Sequence, residues 1–176
     1  MNEKKTNRSL RFWLTAAVIG GVYAALTIAA APISYGWLQV RISEALTVLP
    51  YFTPAAIPGL FIGCFISNMV ISPFSVDFVV GSLATLLAAL LSYWIRKRMW
   101  LVPLPPVLIN AVAIGAMIWI LSGPHTTLTL LMYMGSIGAG QALSCYALGM
   151  PLMLYLKRHR GIFGIGSPPG GDNMKQ

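Results

Sequence analysis

Apolar runs separated by short polar or basic stretches set the pattern of this chain. Phe12 to Ala31 is the first, and its length of about 20 residues crosses a hydrocarbon core of about 30 Å at ~1.5 Å per residue. Asp77 to Ile95 follows later and ends in Arg96, Lys97 and Arg98. Val102 to Leu121 opens on Pro103, Pro105 and Pro106, which a helix accepts in or just before its first turn. Thr126 to Leu156 is the longest run and ends in Lys157, Arg158, His159 and Arg160. Each run predicts a membrane-spanning helix.

Charge placement fixes the count between them. Lys4, Lys5, Arg8 and Arg11 precede the first run, and basic flanks lie on the cytoplasmic side. Arg96 to Arg98 obey the same rule, so the Asp77 run must start outside. An even number of crossings, none or two, then lies between Ala31 and Asp77. Two fit the length, one leg from Trp37 to Phe52 and another from Ala55 to Ser72, with a tight turn near Pro54. The expectation is an all-α membrane protein: a six-transmembrane-helix bundle over residues 12–160 with both termini cytoplasmic. Residues 1–11 form a basic flank, and the Gly- and Pro-rich residues 161–176 a disordered cytoplasmic tail. A re-entrant loop in place of the two short legs, giving four spans, is the alternative.

The stretch from Gln39 to Asn68, QVRISEALTVLPYFTPAAIPGLFIGCFISN, departs from the surrounding pattern. Arg41 and Glu44 fall in lipid-soluble sequence, where a charge costs about 2.5–3.5 kcal/mol on insertion scales. Three residues apart, they share a helix face and can partly neutralise each other. Pro50, Pro54, Pro58 and Gly59 then interrupt the helix, and broken backbone at that depth needs protein or a cavity beside it. Such an interruption points to a binding site.

Composition narrows the class. Of the 176 residues 57% are hydrophobic and 9% charged, against about 25% charged in a soluble domain. The net charge of +8 comes from clusters beside apolar runs, which speaks for membrane orientation and against nucleic acid. Cys64 and Cys145 are far apart within apolar runs and read as small buried hydrophobes. The first run lacks a small-residue cleavage pattern and reads as a retained helix, not a signal peptide. No phosphate-binding loop, metal constellation or nucleophile elbow occurs, so no enzyme and no cofactor is expected. A transport or binding protein remains.

The first run carries small residues at four-residue spacing: Ala16, Gly20 and Ala24, and beside them Ala17, Gly21 and Ala25. Small-xxx-small faces let another helix approach closely. Packing within this chain and docking to a separate partner fit them equally well.

The string VRISEALTVLPYFTPAAIPGLFIGCFISN closely resembles the queuosine-precursor transporter family, the substrate-binding S subunits of energy-coupling factor importers. DFVVGSLATLLAA (Asp77 to Ala89), PPVLINAVAIG (Pro105 to Gly115) and SCYALGMPL (Ser144 to Leu152) match as well. The resemblance implies a multi-pass protein of the bacterial plasma membrane, a six-helix bundle that holds a deazaguanine base near its outer face. It further implies docking on an energy-coupling transmembrane subunit joined to two ATPase subunits. The docking positions match Ala17 and Gly21, with Ala16, Gly20 and Ala24 adjacent. Before SCYALGMPL the family more often has an acid where this chain has Gln141.

A deazaguanine presents adjacent N–H donors on its pairing edge, and a carboxylate accepts two such bonds. Glu44 is the first candidate for that edge, with Arg41 orienting it; a structural Arg41–Glu44 brace is the bland alternative. Asp77 serves equally as a helix N-terminal acid. Asn110, Asn68 and Gln141 are candidate ligand contacts or interhelical hydrogen bonds. Trp37, Tyr51 and Tyr133 can stack a flat base or sit in the interfacial belt. His125 reads as a solvated loop residue. Two other classes stay open, a self-contained ion-coupled carrier and a non-transporting membrane scaffold.

Overall fold

The computed structural model describes residues 3–34, 41–71, 76–123 and 125–159, with side chains except at 3–5, 32–34 and 77. Among these residues the chain is helical throughout, with no strand. The helices are α1 (Glu3–Ser34), α2 (Ala56–Ile71), α3 (Asp77–Trp94), α4 (Leu104–Ser122), α5 (Thr127–Ala142) and α6 (Met150–Arg158). Between α1 and α2 lies a 3-10 helix, Ile42–Tyr51, and between α5 and α6 a π segment, Leu143–Gly149. The run expected from Thr126 to Leu156 is thus one continuous helical stretch, 127–158, in three segments, α, π and α.

α1 and α2 run parallel and nearly touch. A Cβ on Gly59 would meet the Ala16 carbonyl oxygen at 2.6 Å, and one on Gly63 would meet the Gly20 carbonyl oxygen at 2.6 Å. Only glycine permits that approach, and van der Waals contact is what holds helices together in lipid. Because both helices point the same way, residues 41–55 carry the chain back along their length. α3 then runs antiparallel to α2, with Cys64 beside Thr85 and Phe65 beside Phe78. α4 and α5 are antiparallel too, Ala111 lying against Gly138 and Gly115 against Met134.

The return leg is where expectation and structure differ. In place of an α-helical leg from Trp37 to Phe52, the described part is a ten-residue 3-10 helix. At about 2.0 Å rise per residue it covers roughly 20 Å, about 5 Å more than the same residues in α-helix. The tighter winding gives a short leg more reach, and Pro50 near its end has no N–H to contribute to either pattern. Seven of its residues are buried, Ser43 to Ala45 and Thr47 to Pro50. It packs on α1, α2, α3, the π segment and α6, and so forms the axis of the bundle.

The contact with the π segment is close: a Cβ on Gly149 would lie 2.9 Å from Val48 Cγ1 and 3.2 Å from the Ala45 carbonyl oxygen. Ile19, Leu49, Ala56, Leu60, Ala89 and Leu156 share one buried cluster with Tyr23 and Cys64. Large apolar side chains face outward on every long helix, among them Leu14, Val18, Ile66, Leu83, Val112, Leu131 and Leu154. Such a surface belongs in lipid. By length and composition three stretches can cross a membrane, Thr6–Ala31, Met99–Ser122 and Thr127–Arg158, and α2 and α3 are shorter apolar helices.

The ends of the bundle differ. Arg8, Arg11, Arg96, Lys97, Arg98, Lys157 and Arg158 belong to the end where α1 starts and α6 finishes, with Lys157 Nζ 3.9 Å from Met99 Sδ. Arg41 and the start of α3 at Asp77 lie at the opposite end, as does the turn between α4 and α5. The tail expected over 161–176 lies outside the described residues.

Candidate functional site

Polar side chains gather where the 3-10 segment enters the bundle. Glu44, one turn in from Arg41, is 1% exposed. The hydroxyl of Tyr23, midway along α1, donates to Glu44 Oε1 at 2.7 Å. Beside it, Thr27 Oγ1 bonds Ser43 Oγ at 2.7 Å and the Tyr23 carbonyl at 2.8 Å. Behind Glu44, its carbonyl oxygen accepts from Thr47 Oγ1 at 2.6 Å and from Cys145 Sγ at 3.6 Å. The carboxylate and the Ser43 hydroxyl thus tie this segment to α1 and the Glu44 carbonyl ties it to the π segment, and Glu44 Oε2 is left buried without a donor among the described residues.

Arg41 reaches Asn68 of α2, its Nη2 donating to Asn68 Oδ1. Asn68 Nδ2 lies 3.4 Å from Cys64 Sγ, which also receives Thr85 Oγ1 at 3.4 Å. A polar chain therefore runs Arg41, Asn68, Cys64, Thr85 across three elements. The sequence paired Arg41 with Glu44 and offered Asn68 as a ligand contact or interhelical bond, without this link. Both cysteines are buried thiols, and both serve in polar contacts beyond their packing role.

Gln141 and Asn110 come from the other side of the bundle, and both are buried. The Ala111–Gly138 contact sets Asn110 level with the residues just before Gln141. Gln141 Oε1 is buried with no donor among the described residues. One turn further on, Cys145 touches Glu44's carbonyl and Thr47 Oγ1, the latter at 3.5 Å. Gln141 thus lies one turn before the seam between the π segment and the 3-10 segment.

The remaining expected residues scatter. Tyr133 is half-buried on α5, two turns before Gln141. Asp77 starts α3, but its side chain, like all of Trp37, lies outside the described residues. Tyr51 closes the 3-10 helix at the end away from Arg41 and packs edge-on against Phe52. His125 is exposed and meets Trp119 edge-on at 4.9 Å between ring centres.

Tyr23, Thr27, Ser43 and Thr85 were not singled out from the sequence. Tyr23, Thr27 and Thr85 carried only a weak signal, a hydroxyl within an apolar run that needs a partner when buried.

The small-residue stripes separate cleanly. Ala16, Gly20 and Ala24 are buried, and Ala16 and Gly20 lie against Gly59 and Gly63 of α2. Ala17 and Gly21 are exposed, and a Cβ on Gly21 would meet nothing within 4 Å.

The family model described as QueT transporter matches residues 13–158. A protein from Lactococcus lactis subsp. cremoris, named queuosine precursor transporter QueT, is 40% identical over 75 residues. That stretch covers 42% of this chain and 44% of the relative, less than half the length of either. No solved structure matches.

Proposed function

The chain belongs to the QueT transporter family, and on that premise we propose that it is the substrate-capture subunit of an energy-coupling factor importer. It binds a queuosine precursor, a deazaguanine base, from outside the cell for uptake driven by partner ATPases. The observation that carries this reading is the open acceptor at Glu44. A carboxylate is an acceptor only. Here one oxygen is fixed by Tyr23 and the other, Oε2, is buried without a donor among the described residues. Leaving such an oxygen bare is costly, and the N1–H and amino group of a deazaguanine supply adjacent donors to it. Arg41, three residues before Glu44, is held by Asn68.

The parallel α1 and α2 support six crossings, with the 3-10 segment as the second. Both termini then lie at the basic end, which is cytoplasmic by the charge rule, and Arg41 and Glu44 open toward the outside. The outward stripe of Ala17 and Gly21 is the face for the energy-coupling transmembrane subunit.

Thermal unfolding of the detergent-purified chain with and without 7-deazaguanine tests the capture role, and a ligand-dependent rise in midpoint is expected. The absence of any shift would remove it. Uptake by the chain alone in liposomes, without ATPase subunits, would replace it with a self-contained carrier.

A further inference from the structure

Two buried acceptors on different elements have no donor among the described residues: Glu44 Oε2 on the 3-10 segment and Gln141 Oε1 near the end of α5. Glu44 is 1% exposed and Gln141 4%. The two elements are joined through the π segment, since Cys145, a turn beyond Gln141, touches the Glu44 carbonyl and Thr47. Buried polar atoms in folded proteins are satisfied with few exceptions, so two open ones on elements joined through the π segment point to a ligand with donors on two sides.

We propose that Gln141 reads the edge of the bound base that carries N3 and N9–H, which makes the site selective for a free deazaguanine over 9-substituted relatives, nucleosides included. The inference rests on the deazaguanine reading given above. A 7-deazaguanine has donors on two edges. Its N1–H and 2-amino group lie side by side, two donors that match an acceptor-only carboxylate such as Glu44. Its other ring donor is N9–H, separated from the N3 acceptor by one ring carbon, while the second amino N–H lies on the far side of N3.

That second edge pairs a donor with an acceptor, and the complementary side chain must offer the reverse. A carboxamide does so, its oxygen accepting from N9–H and its nitrogen donating to N3. A carboxylate at the same place would set one oxygen against the N3 lone pair. A ribose or methyl group on N9 removes the proton Gln141 Oε1 requires and leaves that oxygen unmatched. Sites built on such bonds reject analogues that lack the donor far more strongly than apolar pockets reject a change in size.

The test is a binding titration of the full chain in detergent with 7-deazaguanine and 9-methyl-7-deazaguanine, on the wild type, Gln141→Met and Gln141→Glu. The wild type should bind the methylated base at least about tenfold more weakly than the parent. Gln141→Met should lose affinity for the parent and shrink that ratio toward one, and Gln141→Glu should also bind the parent more weakly than the wild type. Equal affinity of the wild type for both bases, a measurement that needs no variant, overturns the edge assignment and leaves the substrate class standing. An undiminished ratio in Gln141→Met also overturns it. Failure of the wild type to bind 7-deazaguanine at all overturns the substrate reading and this inference together.

Discussion

Tyr23 and Glu44 are joined by a hydrogen bond of 2.7 Å between two side chains with almost no exposed surface. It connects the middle of α1 to the axial 3-10 segment, and it determines which carboxylate oxygen faces Tyr23 and which stays open. Replacing Tyr23 by Phe keeps the ring and removes the donor. The buried oxygen is then unmatched, which should lower stability by about 1–3 kcal/mol. A fall in the unfolding midpoint of the detergent-purified variant checks this, and an unchanged midpoint would show that the bond is not structural.

Glu44→Gln is nearly the same shape and turns one acceptor into a donor. Gln can still accept from Tyr23, so the fold should persist. The amide N–H₂ then faces ligand donors where Oε2 stood, and affinity for 7-deazaguanine should drop by roughly tenfold or more. Titration of the folded variant decides it, and unchanged affinity would end the assignment of Glu44 to the base edge.

The glycines of the first two helices predict opposite outcomes for similar changes. Gly63→Ala places a methyl 2.6 Å from the Gly20 carbonyl oxygen and 3.0 Å from Tyr23 Cβ. The helices must part, at a cost of about 1–3 kcal/mol typical of overpacking, and Tyr23 shifts with them. Gly21→Leu meets open space and should leave stability and 7-deazaguanine binding unchanged while it blocks assembly with the coupling subunit. Copurification of that subunit separates the two effects: a Gly21→Leu chain that still assembles and transports would place the docking face elsewhere.

The helix boundaries were legible because apolar run length, prolines and basic clusters each carry local physics. Ala55 to Ser72 became Ala56–Ile71, and Asp77 to Ile95 became Asp77–Trp94. The winding of Ile42–Tyr51 was not legible, since ten mostly apolar residues give no period that separates three residues per turn from 3.6. The two small-residue stripes lie on adjacent faces of α1, and nothing within that helix says which one α2 covers. Buried Asn68, Asn110 and Gln141 could be suspected from amides in apolar runs. Tyr23 could not be told from a core aromatic until its partner on another element was in view.

Gly149 sits where the π segment meets the 3-10 segment. A Cβ there would crowd Val48 Cγ1 at 2.9 Å and the Ala45 carbonyl oxygen at 3.2 Å. Gly149→Ala should therefore push these elements apart and loosen the Cys145 contacts to Thr47 and Glu44. Weakened 7-deazaguanine binding with a lower unfolding midpoint is expected, and a variant indistinguishable from wild type in both would show the seam to be compliant.

The direction of the 3-10 segment gives the sharpest test of topology. Parallel α1 and α2 require the chain between them to return to the basic end, which brings Thr53 back to the side where α1 begins. Thr126, in the turn between α4 and α5, lies at the other end and is exposed. Cys64 and Cys145 are buried, so a single added cysteine dominates labelling by a membrane-impermeant thiol reagent. Thr126→Cys in whole cells should react from outside, and Thr53→Cys only after the cytoplasmic face is opened. Reaction of Thr53→Cys from outside alone would mean that the return leg does not cross, and the six-crossing arrangement would be lost with it.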